Sequence, residues 1–191
     1  IFVEDKVLVR ATFHKTDASY PYEIIINPRM SFGTGHHDTT YLMLKNLLGI
    51  DIKEKSVLDA GSGTGILAIM AEKLGAKQVV AYDNNSWSTE NTPENVKLNG
   101  CSKIEVLEGT IETLNFKQQF DIILANINKN VLLEEMPLYA KTLAESGVIL
   151  FSGFYENDAE DLKASALANG LKFVSSALRN KWCSLVFYKN Q

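Results

Sequence analysis

The stretch that decides the fold is Val57-Leu58-Asp59-Ala60-Gly61-Ser62-Gly63-Thr64-Gly65-Ile66. Residues 56–60 read as a short strand. Alternate glycines follow, and then residues 66–74 are apolar at helical spacing and stop at Gly75. Glycine lets the chain turn sharply and lets a ligand approach the backbone. The helix start beyond it offers unpaired N–H groups. A dinucleotide loop would read GxGxxG. Here the third glycine arrives one residue early, and Ile66 stands in its place. Early closure suits a ligand without a pyrophosphate, such as an adenosyl amino acid whose polar tail lies over the glycines.

Outward from this loop, strand-like and helix-like segments alternate. Strands are expected at residues 78–83, 103–107, 120–125 and 147–152, and helices at 66–74, 86–99, 131–143 and 157–169. Pro93 predicts a kink, or a restart with Thr92 as the cap. Pro137 predicts a kink in the next helix. The last two strands, 171–177 and 182–188, are separated by a short link through Arg179-Asn180-Lys181, which predicts an antiparallel hairpin. The fold class is therefore α/β: a Rossmann-like, doubly wound, mostly parallel seven-stranded sheet ending in that hairpin. Residues 7–13 and 22–26 read as strands of a small β-rich extension over residues 1–40, beside a main domain at 41–191.

The totals narrow the function classes. The chain has 191 residues, 46% hydrophobic and 22% charged, as in an ordinary globular domain. A formal net charge of −4 gives no support to broad nucleic-acid binding. No run approaches the ~18 apolar residues of a membrane span, and no signal peptide opens the chain. The two cysteines, Cys101 and Cys183, read as free thiols of a reducing compartment. A cytoplasmic location is expected. The first residue is Ile1, which fits a fragment or a processed chain.

Asp83 ends the second strand, about 20 residues beyond the loop, where a carboxylate accepts from both ribose hydroxyls; the plainer reading is a strand-end carboxylate. Asp59 either meets the ligand's amino group or holds loop amides. Asn126 follows the apolar Phe120-Asp121-Ile122-Ile123-Leu124-Ala125 run, at the strand end where ligands of open α/β sheets sit. Its carbonyl oxygen can accept from an amine while the side chain stays neutral; the plainer reading is a turn former. Methyl transfer from a sulfonium needs a neutral amine, and free lysine titrates near ~10.4. A dry pocket and a nearby cation favour the neutral form, so no strong base is obligatory.

Three segments, Ser31-Phe32-Gly33-Thr34-Gly35-His36-His37-Asp38-Thr39-Thr40, Asp59 to Ala68, and Leu124-Ala125-Asn126-Ile127, resemble the class I S-adenosylmethionine-dependent methyltransferases. Within that class they resemble the ribosomal protein L11 methyltransferases. The first segment is the specific marker, and the resemblance spans roughly residues 20–155. It implies S-adenosylmethionine as cofactor, with contacts at Thr40, Gly61, Gly63, Asp83 and Asn126, and Asn126 meeting the incoming amine. It implies ribosomal protein L11 as the partner, methylated on lysine side-chain and α-amines. It also implies a separate substrate-gripping N-terminal domain that is not in this chain. The sequence departs from the family at His36, Asp38, Pro93 and Asn128-Lys129-Asn130.

The competing readings are fewer. Adjacent His36 and His37 seldom point at one ion and lack a third ligand at recognisable spacing, so no metal is expected. His37 is expected to order its loop. Asp38 is expected to cap the following helix, with Thr39 and Thr40 in its first turn. Trp87, Phe154 and Tyr155 read as core rather than pocket. Alternative functions are methylation of a small amine or RNA, or a methyltransferase-like domain that binds cofactor without catalysis. Asn126-Ile127-Asn128-Lys129 lacks the NPPY-like pattern of glutamine or base-nitrogen methylation. Ile66 makes a dehydrogenase a distant alternative.

Overall fold

The structure is a computed structural model and describes residues 1–15, 19–27 and 36–190, with the His36 side chain excluded. Ser31 to Gly35 of the family-specific segment lie outside the described residues. In chain order the elements are β1 (Phe2–Val3), β2 (Val7–Ala11), β3 (Tyr22–Ile26), α1 (His36–Leu48), β4 (Ser56–Ala60), α2 (Ile66–Lys73), β5 (Gln78–Asp83) and α3 (Ser86–Leu98). Then come β6 (Ile104–Glu108), α4 (Ile111–Leu114), β7 (Phe120–Asn126), α5 (Lys129–Thr142), β8 (Leu143–Tyr155), α6 (Ala159–Ala168), β9 (Leu171–Arg179) and β10 (Trp182–Lys189).

The main sheet has seven strands in the order β6-β5-β4-β7-β8-β10-β9. Its first five are mutually parallel, and β10 runs antiparallel to both β8 and β9. The chain winds outward from β4 to β6, then returns to β7 on the other side of β4. That reversal opens a crevice beyond the carboxyl ends of β4 and β7. Both faces of the sheet are covered, so its central strands alternate between two cores. Leu58, Val80, Ile123 and Phe151 pack on the α5 side. Val57, Val79, Ile122 and Leu150 pack on the side of α1 and α2.

Strand register is set away from the crevice by a polar pair. Asp121 Oδ2 accepts from the Ser56 amide at 2.9 Å and from its hydroxyl at 3.1 Å. The final hairpin turns through Asn180 and Lys181, with φ of 49° and 70°. Two positive φ angles define a type I′ turn, whose twist matches the flanking strands.

Residues 1–27 contribute a three-stranded sheet in which β2 and β3 are parallel. Parallel neighbours cannot be joined by a tight hairpin turn. Val3, Val7, Ile24 and Ile26 share one apolar cluster with Met43, Leu47, Val57 and Ile69, and α1 itself runs across position 40.

Several local expectations change. α3 is continuous through Pro93, with Asn85 as its cap, accepting from the Trp87 amide. Thr92 is fully buried instead of capping. Pro93 lies on the exposed face, so water can satisfy the carbonyl it leaves unpaired. α5 likewise continues through Pro137. α1 begins by His36, which places Asp38 inside its first turn rather than at the cap. A 3-10 turn, Glu156–Asp158, precedes α6. The four-residue helix α4 was not anticipated; a reciprocal Thr110–Thr113 capping box sustains it. Phe154 is core, whereas Tyr155 is 48% exposed and stacks on Trp182 at 4.1 Å between centroids. Both cysteines are free thiols. Among the described residues no helix is long and apolar enough to cross a membrane.

Candidate active site

The loop from β4 to α2 is held from beneath. The amides of Gly61 and Ser62 both donate to the Tyr82 carbonyl at 2.9 Å. Gly61, Gly63 and Gly65 all have positive φ (70°, 55° and 88°). Gly65 has a second constraint, because a Cβ there would meet Thr92 Cγ2 at 2.7 Å. The early third glycine is therefore where α3 crosses the loop.

Gly65 caps α2 without a side chain. Asp59 supplies the missing acceptor by taking the Ala68 amide, so it holds an amide at the loop's helix start. Asp59 is 1% exposed and its Oδ2 has no partner among the described residues. Burial pushes its carboxyl up to about 7, opposed by the Ala68 amide and reinforced by the charge of Asp83.

Asp83 stands at the end of β5. Its Oδ2 accepts from Gly63 N at 3.0 Å and its Oδ1 from Asn85 N at 2.9 Å. Each oxygen keeps further lone-pair capacity, and Asp83 lines the crevice. One carboxylate thus joins the glycine loop to the start of α3.

Two clefts meet at this loop. One, of about 340 Å³, is bounded by Asp83, Thr110, Ile127, Val131 and Glu135. The other, of about 220 Å³, is bounded by His37, Thr64, Ile66 and the β2–β3 side. Gly61, Gly63 and Asn126 line both. Thr40 stands apart, buried on α1 and not among the residues lining either cleft. His37 is exposed at the second cleft, and the loop it was expected to order lies outside the described residues.

Asn126 ends β7 opposite Ser152 of β8. Its Nδ2 donates to Thr39 Oγ1 at 3.3 Å, which leaves Oδ1 as a free acceptor direction. The chain then passes close to β8, where a Cβ on Gly153 would meet the Ile127 carbonyl at 2.4 Å. The departure at Asn128-Lys129-Asn130 is a helix start. Asn128 Oδ1 caps α5 at the Val131 amide at 3.1 Å, and Lys129 pairs with Asp158 and Asp161 at 3.2 and 2.7 Å. Asp38 pairs with Arg179 at 3.0 Å, fastening the hairpin turn to α1, and Arg179 lies over the Tyr41 ring at 3.6 Å.

Reading the sequence missed a polar face on α3. Asn95 donates to the Thr64 carbonyl at 2.9 Å and accepts from the Asn27 amide at 2.8 Å. Thr92 donates to the Gly63 carbonyl at 2.9 Å. Asn99 takes both the amide and the carbonyl of Ile25, at 2.8 and 2.7 Å. The helix therefore completes the edge of β3 and holds the glycine loop. Asparagines at 91, 95 and 99 form an i, i+4, i+8 row, and that spacing was the available signal.

The fold places this chain among the methyltransferases. A crystal structure of a ribosomal protein L11 methylase from Lactobacillus delbrueckii subsp. bulgaricus superimposes with a TM-score of 0.89 at 26% identity, covering 100% of this chain and 98% of that one. The family model described as ribosomal protein L11 methyltransferase (PrmA) matches residues 2–190. A ribosomal protein L11 methyltransferase from Porphyromonas gingivalis is 48% identical over 98% of this chain and 64% of its own length. One of the same name from Bacteroides thetaiotaomicron is 41% identical over 98% and 67%. The chain belongs to the ribosomal protein L11 methyltransferase family, and it spans about two thirds of the length of these relatives.

Proposed function

We propose that the chain is the catalytic part of an S-adenosylmethionine-dependent protein N-methyltransferase acting on lysine side-chain and α-amines of ribosomal protein L11 in the cytoplasm. The observation that carries this reading is Asn126. It stands where the two clefts meet over the glycine loop, with its amide nitrogen engaged by Thr39 and its carbonyl oxygen available.

The residues present fit the cofactor. The larger cleft has the size and the mixed walls for an adenosine, and Asp83 offers it a carboxylate. The smaller cleft lies over the glycine loop, where Gly61 and Gly63 let an amino-acid tail come close to the backbone beside Thr64 and Asn126. Thr40 joins the cofactor set by family resemblance. The cofactor supplies a methyl group on a sulfonium.

The chain's own part is alignment. Asn126 Oδ1 accepts an N–H of the incoming amine and turns its lone pair toward the methyl. Being neutral, Asn126 does not favour the ammonium form as a carboxylate would. Thr39 holds the amide in that orientation. The share of the relatives' length lying outside this chain supports assigning capture of the protein substrate to a separate module.

The test is methyl transfer from labelled donor to purified ribosomal protein L11, to ribosomal RNA and to small amines in parallel, with the chain alone and within its full-length protein. Label in L11 is expected. Label confined to RNA or small amines would overturn the substrate assignment. Donor binding without label in any arm would overturn the enzyme reading.

A further inference from the structure

The tip of the final hairpin grips the helix that holds Asn126. Arg179, the last residue of β9, donates from Nε to Asp38 Oδ1 at 3.0 Å, and Asn180 Nδ2 donates to the same oxygen at 3.2 Å. The Arg179 guanidinium also lies over the Tyr41 ring at 3.6 Å. Asp38 and Tyr41 are one turn apart and share a face of α1. Thr39 stands between them in sequence, 3% exposed, and its Oγ1 takes the Asn126 amide nitrogen at 3.3 Å. That length is close to the limit of a hydrogen bond, so a displacement of about 0.3 Å at Thr39 would lose it. Farther along α1 a second tie, from Asn46 Nδ2 to Ser184 Oγ at 3.1 Å, joins the helix to β10. The body of α1 thus has its own attachment, and the contribution of the hairpin tip falls on the first turn. Asp38 is also a position where the sequence departs from the family, and Arg179 and Asn180 are the partners that the departure acquires.

We infer that Arg179 is a positioning residue for methyl transfer: its grip on Asp38 and Tyr41 sets the first turn of α1, and Thr39 in that turn sets the Asn126 amide. The inference rests on the function proposed above and adds to it a residue that lines neither cleft. Arginine suits this task better than lysine. A planar guanidinium donates to a carboxylate from its edge while its face rests on a ring. The Arg179 side chain is 42% exposed, so the ion pair is screened and weak alone. The ring contact adds to it. The consequence for alignment is therefore a few-fold change in rate and not the loss of the site.

The test is single-turnover methyl transfer to ribosomal protein L11, with S-adenosylmethionine and L11 both saturating and the chain within its full-length protein. It compares the unaltered protein with Arg179→Gln, Arg179→Lys, Thr39→Val and the double variant Arg179→Gln/Thr39→Val. Thermal midpoints, and S-adenosylhomocysteine affinities expected to agree within about 2-fold, confirm that each variant folds. Arg179→Gln should slow transfer by about 3- to 5-fold. Arg179→Lys keeps the charge and loses the flat contact, so its rate should fall between the two. In the Thr39→Val background, Arg179→Gln should cost nothing further, because the bond it positions is already gone. An arginine that merely supports the fold would lower both rates by the same factor. An unchanged rate in Arg179→Gln, or equal losses in the two backgrounds, overturns the inference and leaves the proposed function standing. No transfer by the unaltered protein overturns both.

Discussion

Asn126 at the end of β7 and Thr39 in the first turn of α1 are joined by a 3.3 Å hydrogen bond between positions 87 residues apart. An amide side chain can present either its oxygen or its nitrogen to a substrate, and the two choices have opposite chemistry. In the structure the Thr39 hydroxyl accepts from the nitrogen, which turns the oxygen the other way. Thr39→Val keeps the shape and removes the partner. Turnover is expected to fall about 10-fold while S-adenosylhomocysteine affinity stays within about 2-fold. Asn126→Ala should lose about 100-fold in single-turnover rate, the scale of a misaligned reacting group. Equal rates for Thr39→Val and the unaltered chain would refute the positioning role.

Asp83 makes a different prediction, because its two oxygens are already used by Gly63 N and Asn85 N. Asp83→Asn can keep only one of those bonds and turns an NH₂ toward an N–H. The loop and the proposed ribose contact should suffer together. We expect S-adenosylhomocysteine affinity to drop about 30-fold or more by calorimetry, the scale of a lost hydrogen bond to a charged group. Unchanged affinity in a folded variant would remove Asp83 from the cofactor site.

The parallel sheet, the crossover loop and the hairpin were legible because each is a local pattern: buried apolar runs at strand length, alternate glycines, and a short polar link. The place of Gly61, Gly63, Asp83 and Asn126 at the crevice was legible for the same reason, since each ends a strand of the sheet or stands within three residues of its end. Long-range partnerships were not. Asp38 looked like a helix cap because the sequence around it shows no trace of Arg179, 141 residues away. Thr92 looked like a cap because Pro93 follows it, yet its hydroxyl serves the Gly63 carbonyl.

Gly65 should respond to substitution through Thr92. Alanine at φ 88° takes on left-handed strain of about 1–2 kcal/mol. Its Cβ would also press on Thr92 Cγ2 at 2.7 Å. Gly65→Ala is expected to destabilise by about 3 kcal/mol in urea titration. Adding Thr92→Ser removes Cγ2 and keeps the hydroxyl, so the double variant should recover about 1 kcal/mol or more. Additive losses would show that the close approach is not what demands glycine here.

The hairpin turn offers a gain. Lys181 holds φ 70° as the second central residue of a type I′ turn, after Asn180. Asn-Gly is the favoured pair for that geometry. Lys181→Gly should stabilise the chain by about 1 kcal/mol, read as a higher urea midpoint with unchanged slope. A lower midpoint would argue against the turn.

Asp59 should make stability depend on pH in the direction opposite to a salt-bridged carboxylate. Its folded pKa is raised from 3.8 to about 7, chiefly by burial. The native state therefore holds a proton that the unfolded chain releases across that window. Stability linked to Asp59 is full below pH 3.8 and is lost as pH rises through about 7. Asp59→Asn keeps an acceptor for the Ala68 amide and carries no charge at any pH. The variant and the unaltered chain should therefore be of similar stability at acid pH. They should diverge as pH rises, with the variant ahead at pH ~8 by on the order of 3 kcal/mol. Urea midpoints measured from acid to mildly alkaline pH read this difference, and other titrating groups cancel in the comparison. A variant less stable at alkaline pH would mean that the Asp59 carboxylate is held charged by a donor, most simply on Oδ2, which has no partner among the described residues.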